Sequence, residues 1–170
     1  MESRVKLLGH PVHPMLIVFP LGLLATAVAF EIVGLASGDA EWFRISFWMI
    51  AAGIIGGLLS AIFGLVDWLA IPSGTRAKRI GLWHGGGNVI VTVLFIISWF
   101  LRRPAPENPE VSALVLSFIA VALALVTGWL GGELVDRLGV GVDNGAHLNA
   151  PSSLSGRLAT DSDSRVRRTA

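Results

Sequence analysis

Four long apolar stretches dominate the pattern of hydrophobic and polar positions along the chain. They run over residues 14–36, 43–71, 83–101 and 111–135. The hydrocarbon core of a bilayer is about 30 Å thick, so a helix needs about 20 apolar residues to cross it. Backbone N–H and C=O groups cannot stay unpaired in lipid, and each stretch must therefore be helical. The pattern predicts an all-α integral membrane protein, with a four-transmembrane-helix bundle over residues 1–138.

The chain changes character after Leu138. Residues 139–170 are rich in Ser, Asp, Asn and Arg and follow no helical or strand period. A segment of this composition buries little apolar surface. We therefore expect a polar, largely irregular C-terminal tail.

The basic residues predict an orientation. Lys and Arg collect on the cytoplasmic side of short loops, and three of them, Arg44, Arg102 and Arg103, fall on one side of the predicted bundle. The other ten fall on the side of both termini: Arg4, Lys6, Arg76, Lys78, Arg79, Arg137, Arg157, Arg165, Arg167 and Arg168. We expect a multi-pass protein of the cytoplasmic membrane, with both termini cytoplasmic and residues 37–42 and 102–110 as external loops.

Composition supports the membrane assignment and excludes several chemistries. Apolar residues make up 53% of the chain and charged residues 15%, with a mean hydropathy of +0.69, which is too apolar for a soluble domain. The bilayer is therefore the expected partner, and nucleic acid is not. Cysteine is absent, so a thiolate metal site, an iron–sulfur cluster or a cysteine nucleophile cannot be built from this chain.

The first apolar stretch has a second interpretation. A basic start, an apolar run and Ala25-Thr26-Ala27 also resemble a cleavable signal peptide. The apolar residues continue past that site through Val33 and Leu35, which favours an uncleaved first helix.

Ionisable residues are rare in the stretches and collect near one end of the predicted bundle. A charge inside a bilayer is costly and usually faces the bundle interior or a water-filled cavity. Glu31 does not belong to this group, because the topology places it at the opposite, external end of the bundle. The residues that the topology brings to the cytoplasmic end are His10, His13, Asp67, His84, Glu133 and Asp136.

Local spacing refines this cluster. His10 and His13 each precede a proline, which predicts an extended segment for both, with Pro14 in the first helical turn and a kink at Pro20. His84, Asn88 and Thr92 recur every four residues and form a polar stripe that we expect to face inward. Small residues at this same spacing in the second and fourth stretches predict close contact between those two helices, or a dimer seam.

Three interpretations of the cluster stay open. The first is a cofactor site in which His13 and His84 bind a b-type haem or a transition metal (Zn, Fe, Mn or Ni) for a redox partner, with Asn88 behind them. A metal shell would draw on His10, His13, Asp67, His84 and Glu133. The second is a proton or cation relay from Glu31 inward, which requires a homodimer. The third is a structural or assembly subunit whose polar groups only fix helix register.

Several motifs resemble one family. They are Gly-His-Pro-Val-His-Pro at 9–14, Phe-Pro-Leu-Gly at 19–22, Asp67, His84, Gly-Gly-Glu-Leu at 131–134, and the segments 140–147 and 150–153. From residue 8 to about 156 the chain resembles the bacterial membrane proteins catalogued as domain-of-unknown-function family 2231. The resemblance implies a membrane protein without a settled activity. Some members look fused to a Rieske-type iron–sulfur domain, which hints at electron transfer, but this chain has no such domain.

Overall fold

A computed structural model describes residues 1–161 of the chain. Its elements are β1 (Lys6–Leu7), β2 (His10–Pro11), α1 (Val12–Leu16), α2 (Val18–Ser37), α3 (Glu41–Ala70), α4 (Arg76–Arg102) and α5 (Val111–Gly132). A π-helical turn, Glu133–Arg137, extends α5, and a 3₁₀ turn, Ser153–Ser155, lies in the tail. Arg165, Arg167 and Arg168, which contributed to the predicted orientation, lie outside the described residues.

Four helical segments of the described chain are long and apolar enough to cross a membrane. They are Val12–Ser37, Glu41–Ala70, Arg76–Arg102 and Val111–Arg137. The all-α, four-span prediction is therefore confirmed. The third span begins seven residues earlier than predicted because the Thr75 side chain caps it, accepting a hydrogen bond from the Lys78 amide at 3.1 Å. Hydropathy predicts which residues lie in lipid, whereas the capping side chain of Thr75 determines where the helix begins.

The first span starts in a different conformation from the one predicted. His10 lies in the extended strand β2, but His13 lies inside α1 rather than in an extended segment. Pro14 follows within the first turn, where its missing N–H costs no hydrogen bond. The helix is interrupted at Ile17, and Pro20 accounts for this because it has no N–H to donate to Leu16. The kink predicted at Pro20 thus takes the form of a break in the helix at Ile17, one turn earlier.

The spans pack mainly as neighbours in the chain. α2 lies along α3, α4 along α5, and α3 against α4, whereas α2 meets α5 over a shorter stretch. The predicted close contact between the second and fourth spans is wrong, and its alternative, a dimer seam, stays a prediction. An added Cβ at Gly53 or Gly56 would meet Leu24 or Phe19 of α2 within 3 Å, so these glycines admit the first span. Small residues permit a close approach, but the short turn between α2 and α3 selects the partner.

An apolar layer fills the middle of the bundle. Its side chains come from all four spans and are those of Leu24, Ala27, Val28, Ile50, Val91, Phe95 and Ala120. Along each span these residues lie between two polar groups, one toward each end of the bundle. The larger apolar side chains elsewhere on the spans are mostly exposed, as expected for helices that face lipid.

A buried ion pair closes the bundle at one end. The Arg102 guanidinium donates to the Glu31 carboxylate at 2.6 Å, and neither side chain has any exposed surface. Arg102 was predicted in the external loop. It belongs instead to the last turn of α4, where a carboxylate of α2 faces it, and an unpaired Glu31 would be costly at this depth.

Three buried serines complete this group. Ser46 of α3 and Ser117 of α5 donate to the Glu31 carboxylate at 2.9 and 2.5 Å. Ser98 of α4 accepts from Arg102 Nε at 3.2 Å. We call these five residues the ion-pair layer. The ion-pair layer joins all four spans, because its five residues come from α2, α3, α4 and α5 and bind one another.

The opposite end carries a small cap formed by the two ends of the described chain. The N-terminal amine donates to the carbonyl of Gly139 at 2.7 Å, and the Gly141 amide donates to the carbonyl of Met1 at 2.8 Å. Lys6 binds Glu2 at 2.8 Å and Asp143 at 2.5 Å. The N-terminus and the tail therefore lie at the same end of the bundle.

Replacement of Glu31 tests the ion-pair layer. Glu31→Gln should lower the free energy of unfolding in detergent by about 3–5 kcal/mol, because it leaves the Arg102 charge buried without a counter-ion. Glu41→Gln is a matched control, since it breaks a pair with Arg44 whose side chains are both at least half exposed and should cost no more than about 1 kcal/mol. Equal losses in the two variants would contradict a buried pair.

The cap should depend on pH through Glu2 and Lys6. The hydrogen bond from Lys6 and that from the Asn144 amide lower the pKa of Glu2 below 4.5, and the bonds to Asp143 and Glu2 raise the pKa of Lys6 above 10.5. The Glu2 contribution is present above pH 4.5 and is lost as the pH falls through the lowered pKa. The Lys6 contribution is present below pH 10.5 and is lost as the pH rises through the raised pKa.

Amide chemical shifts of Gly141 and Asn144 in detergent-solubilised protein would follow this docking. These shifts should stay constant between pH 4.5 and pH 10.5. In Lys6→Met they should move toward the values of a chain whose tail is not bound to the N-terminal segment. The side chains that make both contacts are only partly buried, so the expected loss is partial. Unchanged shifts in Lys6→Met would show that the backbone contacts hold the cap alone.

Candidate functional site

A second polar group lies between the apolar layer and the cap. It contains His13 of α1, Ser60 of α3, His84 and Asn88 of α4, and Thr127 of α5. We call these five residues the histidine layer. Like the ion-pair layer it draws on all four spans, but it contains no Asp, Glu, Lys or Arg.

His13 is fixed against the second span. Its Nδ1 lies 2.9 Å from the carbonyl oxygen and 3.1 Å from the hydroxyl oxygen of Ser60. The ring lies over Gly64, where an added Cβ would come within 2.7 Å of His13 Cε1. Only a glycine at this position of α3 lets the imidazole approach the helix so closely.

His84 is held against the fourth span in the same manner. Its Nδ1 lies 2.8 Å from the carbonyl oxygen of Thr127, and its ring lies over Gly131, where an added Cβ would be 3.0 Å from His84 Cε1. Asn88 lies one turn further along α4. It donates to the His84 carbonyl at 2.9 Å and accepts from the Thr127 hydroxyl at 3.0 Å.

The two backbone contacts determine which nitrogen of each ring carries the proton. A carbonyl oxygen only accepts hydrogen bonds, so Nδ1 of His13 and Nδ1 of His84 must both be donors. In the neutral imidazole the lone pair is then on Nε2. The side-chain amide of Asn88 lies 3.4 Å from Nε2 of His84. Both rings therefore present the tautomer typical of metal-ligating histidines.

The two imidazoles lie next to each other. Their ring centres are 6.5 Å apart, and the ring planes are nearly perpendicular, at 89°. His13 and His84 were predicted as a pair from sequence, and the structure brings them together although 70 positions of the chain separate them. The predicted inward stripe on α4 is present too, because His84 and Asn88 both contact Thr127.

The carboxylates expected in the same site have other partners. Asp67 accepts from the Ser3 hydroxyl at 2.8 Å and from the Arg4 amide at 2.7 Å, so it anchors the N-terminal segment. Glu133 pairs with Arg76 at 2.5 Å. Asp136, three residues further along the chain, is exposed.

His10 and His147 also lie away from the paired imidazoles. Nε2 of His10 lies 3.3 Å from the Ser153 hydroxyl, and Nε2 of His147 lies 3.2 Å from the Asp161 carbonyl. Within residues 1–161 no three side chains of His, Asp and Glu are close enough to hold one metal ion together. The predicted shell of histidines and carboxylates is therefore not assembled in this part of the chain.

Glu31 was expected at the opposite end, and it lies there, but as half of a buried ion pair. Sequence reasoning missed its partner Arg102. A signal was available, because eighteen residues separate His13 from Glu31 and again His84 from Arg102. Eighteen residues make five turns at 3.6 residues per turn. His84 and Arg102 therefore lie on one face of the unbroken helix α4, whereas the interruption at Ile17 lies between His13 and Glu31.

The distance between the polar layers bears on the relay hypothesis. Five turns span about 27 Å, and every side chain of the intervening core cluster is apolar. A proton or cation moving from Glu31 to His84 through one chain would have to cross this apolar layer. The described bundle therefore offers little support for translocation through a single copy.

Replacement of Gly64 tests how His13 is held. Gly64→Ala should destabilise the detergent-solubilised protein by about 1–3 kcal/mol, because the new methyl group overlaps the imidazole. Gly57→Ala in the same helix is the matched control. Its Cβ would meet Pro20 at an ordinary 3.6 Å, so the better helix propensity of alanine should leave stability unchanged or raised by less than about 1 kcal/mol. Equal effects of the two variants would contradict the close contact of His13 with α3.

Comparison with known proteins places the chain in a family. The family model described as a predicted membrane protein, DUF2231, matches residues 9–144. The match covers more than half of the chain, and the chain belongs to this family. No curated protein matches the chain, and no solved structure matches it.

Proposed function

We propose that this DUF2231 membrane protein binds one cofactor through His13 and His84, most favourably a b-type haem, and serves a redox partner at the membrane. One observation carries the proposal. Two imidazoles from different spans lie 6.5 Å apart, and the backbone holds each one with Nδ1 as the donor, which leaves Nε2 as the ligating nitrogen. The description of the family states only that its members are predicted membrane proteins.

The spacing of the rings fits two ligands of one metal atom. With metal–nitrogen bonds of about 2.0 Å, two imidazoles on opposite sides of a metal have ring centres roughly 6.4 Å apart. The observed 6.5 Å is close to this value.

The number of ligands favours haem over a bare metal ion. A catalytic or structural zinc site uses at least three protein ligands, and within the described residues His13 and His84 have no third His, Asp or Glu beside them. A haem brings four nitrogens of its own and needs only two axial ligands. A bound haem would supply one-electron redox chemistry, and the chain supplies the axial imidazoles and the surrounding apolar medium.

The surroundings of the two rings assign roles to their neighbours. Ser60 and Thr127 accept from Nδ1 through backbone carbonyls, which fixes ring orientation and raises the basicity of Nε2. Asn88 braces α4 against α5 through Thr127. Asp67 anchors the N-terminal segment, Glu133 pairs with Arg76 of α4, and His10 contacts Ser153 of the tail, so we assign them no ligand role.

The orientation of the bundle forms part of the proposal. Both described ends of the chain lie on one side with Arg4, Arg79 and Arg137 exposed there. Such an excess of basic residues favours a cytoplasmic position in a bacterial cytoplasmic membrane. The paired histidines would then lie nearer the cytoplasmic than the external surface.

Optical spectra of the protein purified in detergent from a haem-sufficient host test the function. We expect a Soret band that shifts on reduction, with haem near one equivalent per chain. His13→Ala and His84→Ala should each lose most of the bound haem, because one axial bond remains. Metal analysis of the same samples detects the alternative, a bound Zn, Fe, Mn or Ni ion without porphyrin.

His147→Ala is the matched control, since it removes an exposed imidazole from the tail and should retain full haem content. Circular dichroism and gel filtration verify that each variant is folded. Haem retained by His84→Ala, or wild-type protein free of both haem and metal, would contradict the proposal.

A further inference from the structure

A group of exposed leucines lies at the cap end of the bundle. Leu7 and Leu8 form the tip of the hairpin that joins β1 to β2, and their exposed fractions are 54% and 70%. Leu154, in the 3₁₀ turn of the tail, is 73% exposed. We call these three residues the leucine patch. Leucines in water-facing loops expose apolar surface that is normally covered.

The hairpin and the tail are in direct contact. An added Cβ at Gly9 would lie 2.6 Å from Cβ of Ser153, the neighbour of Leu154. The Ser153 hydroxyl also lies 3.3 Å from Nε2 of His10. The tail thus carries Leu154 close to the turn that contains Leu8.

The conformation of Leu8 makes this residue unexpected at its position. Leu8 and Gly9 both have positive φ angles, 53° and 84°, as a type I′ hairpin turn requires. Asn, Asp and Gly favour the first position of such a turn, and leucine adopts it rarely. The side chain gains nothing from burial in the protein, because it is mostly exposed. A contact outside the protein would explain an apolar residue here.

The position of the hairpin indicates what covers it. α1 begins at Val12, directly after β2, so Gly9 at the tip lies within about 10 Å of the start of the first span, at about 3.3 Å per residue. Met15 and Val18 follow on that span and are exposed toward the lipid. The leucine patch therefore continues the apolar surface of the spans beyond their ends.

Charges and indoles at the same end fit the membrane surface. Trp83 and Trp129 are 70% and 67% exposed and lie about two turns inside the ends of their spans, the depth at which indoles meet the headgroup layer. Arg4 and Arg79 are exposed near the hairpin and the start of α4. Basic side chains beside apolar ones are typical of segments that lie in an anionic lipid interface.

We propose that the leucine patch inserts into the headgroup region of the leaflet that the bundle already spans, so that Leu7, Leu8 and Leu154 anchor the cap to lipid. The cap then lies down on the membrane beside the first span instead of standing in water. The proposal does not depend on cofactor binding, since none of these residues contacts His13 or His84.

Single-cysteine variants of the full chain test this position, because the protein has no native cysteine. Leu8→Cys, Leu154→Cys and the control Asn149→Cys are labelled with an environment-sensitive NBD dye. They are reconstituted into phosphatidylcholine vesicles containing phosphatidylglycerol. Asn149 is an exposed residue of the same tail. We expect labels at 8 and 154 to emit at shorter wavelength than the label at 149, to be quenched by nitroxide lipids and to be shielded from aqueous iodide.

A second variant separates lipid anchoring from a structural role of the turn. Leu8→Asn suits a positive φ angle, so the hairpin should stay folded, while the label at 154 should shift toward the emission and iodide quenching of the control. Labels at 8 and 154 that iodide quenches as strongly as the label at 149 would overturn the proposal. Labels shielded from both iodide and nitroxide lipids would overturn it too, because a protein surface would then cover the patch.

Discussion

The ion pair between Glu31 and Arg102 determines how the rest of the bundle is arranged. Lipid offers neither charge a partner, so each must find the other inside the protein. The hydrogen bonds that complete the pair come from Ser46, Ser98 and Ser117, and the group therefore holds all four spans. A rotation or a sliding of any one span would leave a buried polar atom without its partner.

The paired histidines follow from this arrangement. His84 lies five turns from Arg102 in the unbroken helix α4, so these two side chains share one helix face. His13 belongs to the same span as Glu31, and the imidazoles of His13 and His84 lie 6.5 Å apart at the far end. The apolar layer between them keeps the two polar groups separate. The ion-pair layer at one end of the bundle thus stabilises the arrangement of the two imidazoles at the other end.

The fold could be predicted from sequence because the bilayer imposes it. Length and hydropathy alone indicate four helices, and interior polar residues such as His84 and Asn88 had to face the protein. The carboxylates were harder to place. Asp67 lies near the histidines in depth, but the backbone and hydroxyl donors of the N-terminal segment satisfy it, and periodicity within a helix cannot foresee such donors.

The cap, too, is held by contacts that helical periodicity does not predict. Its contacts join Met1 to Gly139 and Lys6 to Asp143, which lie far apart in the chain and follow no helical period. Composition alone therefore predicted an irregular tail, and only the structure shows that its described part docks beside the hairpin. Arg102 is the opposite case, since its five-turn spacing from His84 was present in the sequence.

The central claim is that the backbone holds both histidines with Nδ1 as the donor, so that the lone pair of each neutral ring is on Nε2. Nitrogen-15 NMR of the imidazoles in cofactor-free protein tests it most directly, and with four histidines in the chain the variants His13→Ala and His84→Ala assign the two signals. The account predicts that the neutral form of each ring carries its proton on Nδ1 and not on Nε2. A proton on Nε2 of either neutral ring would contradict it.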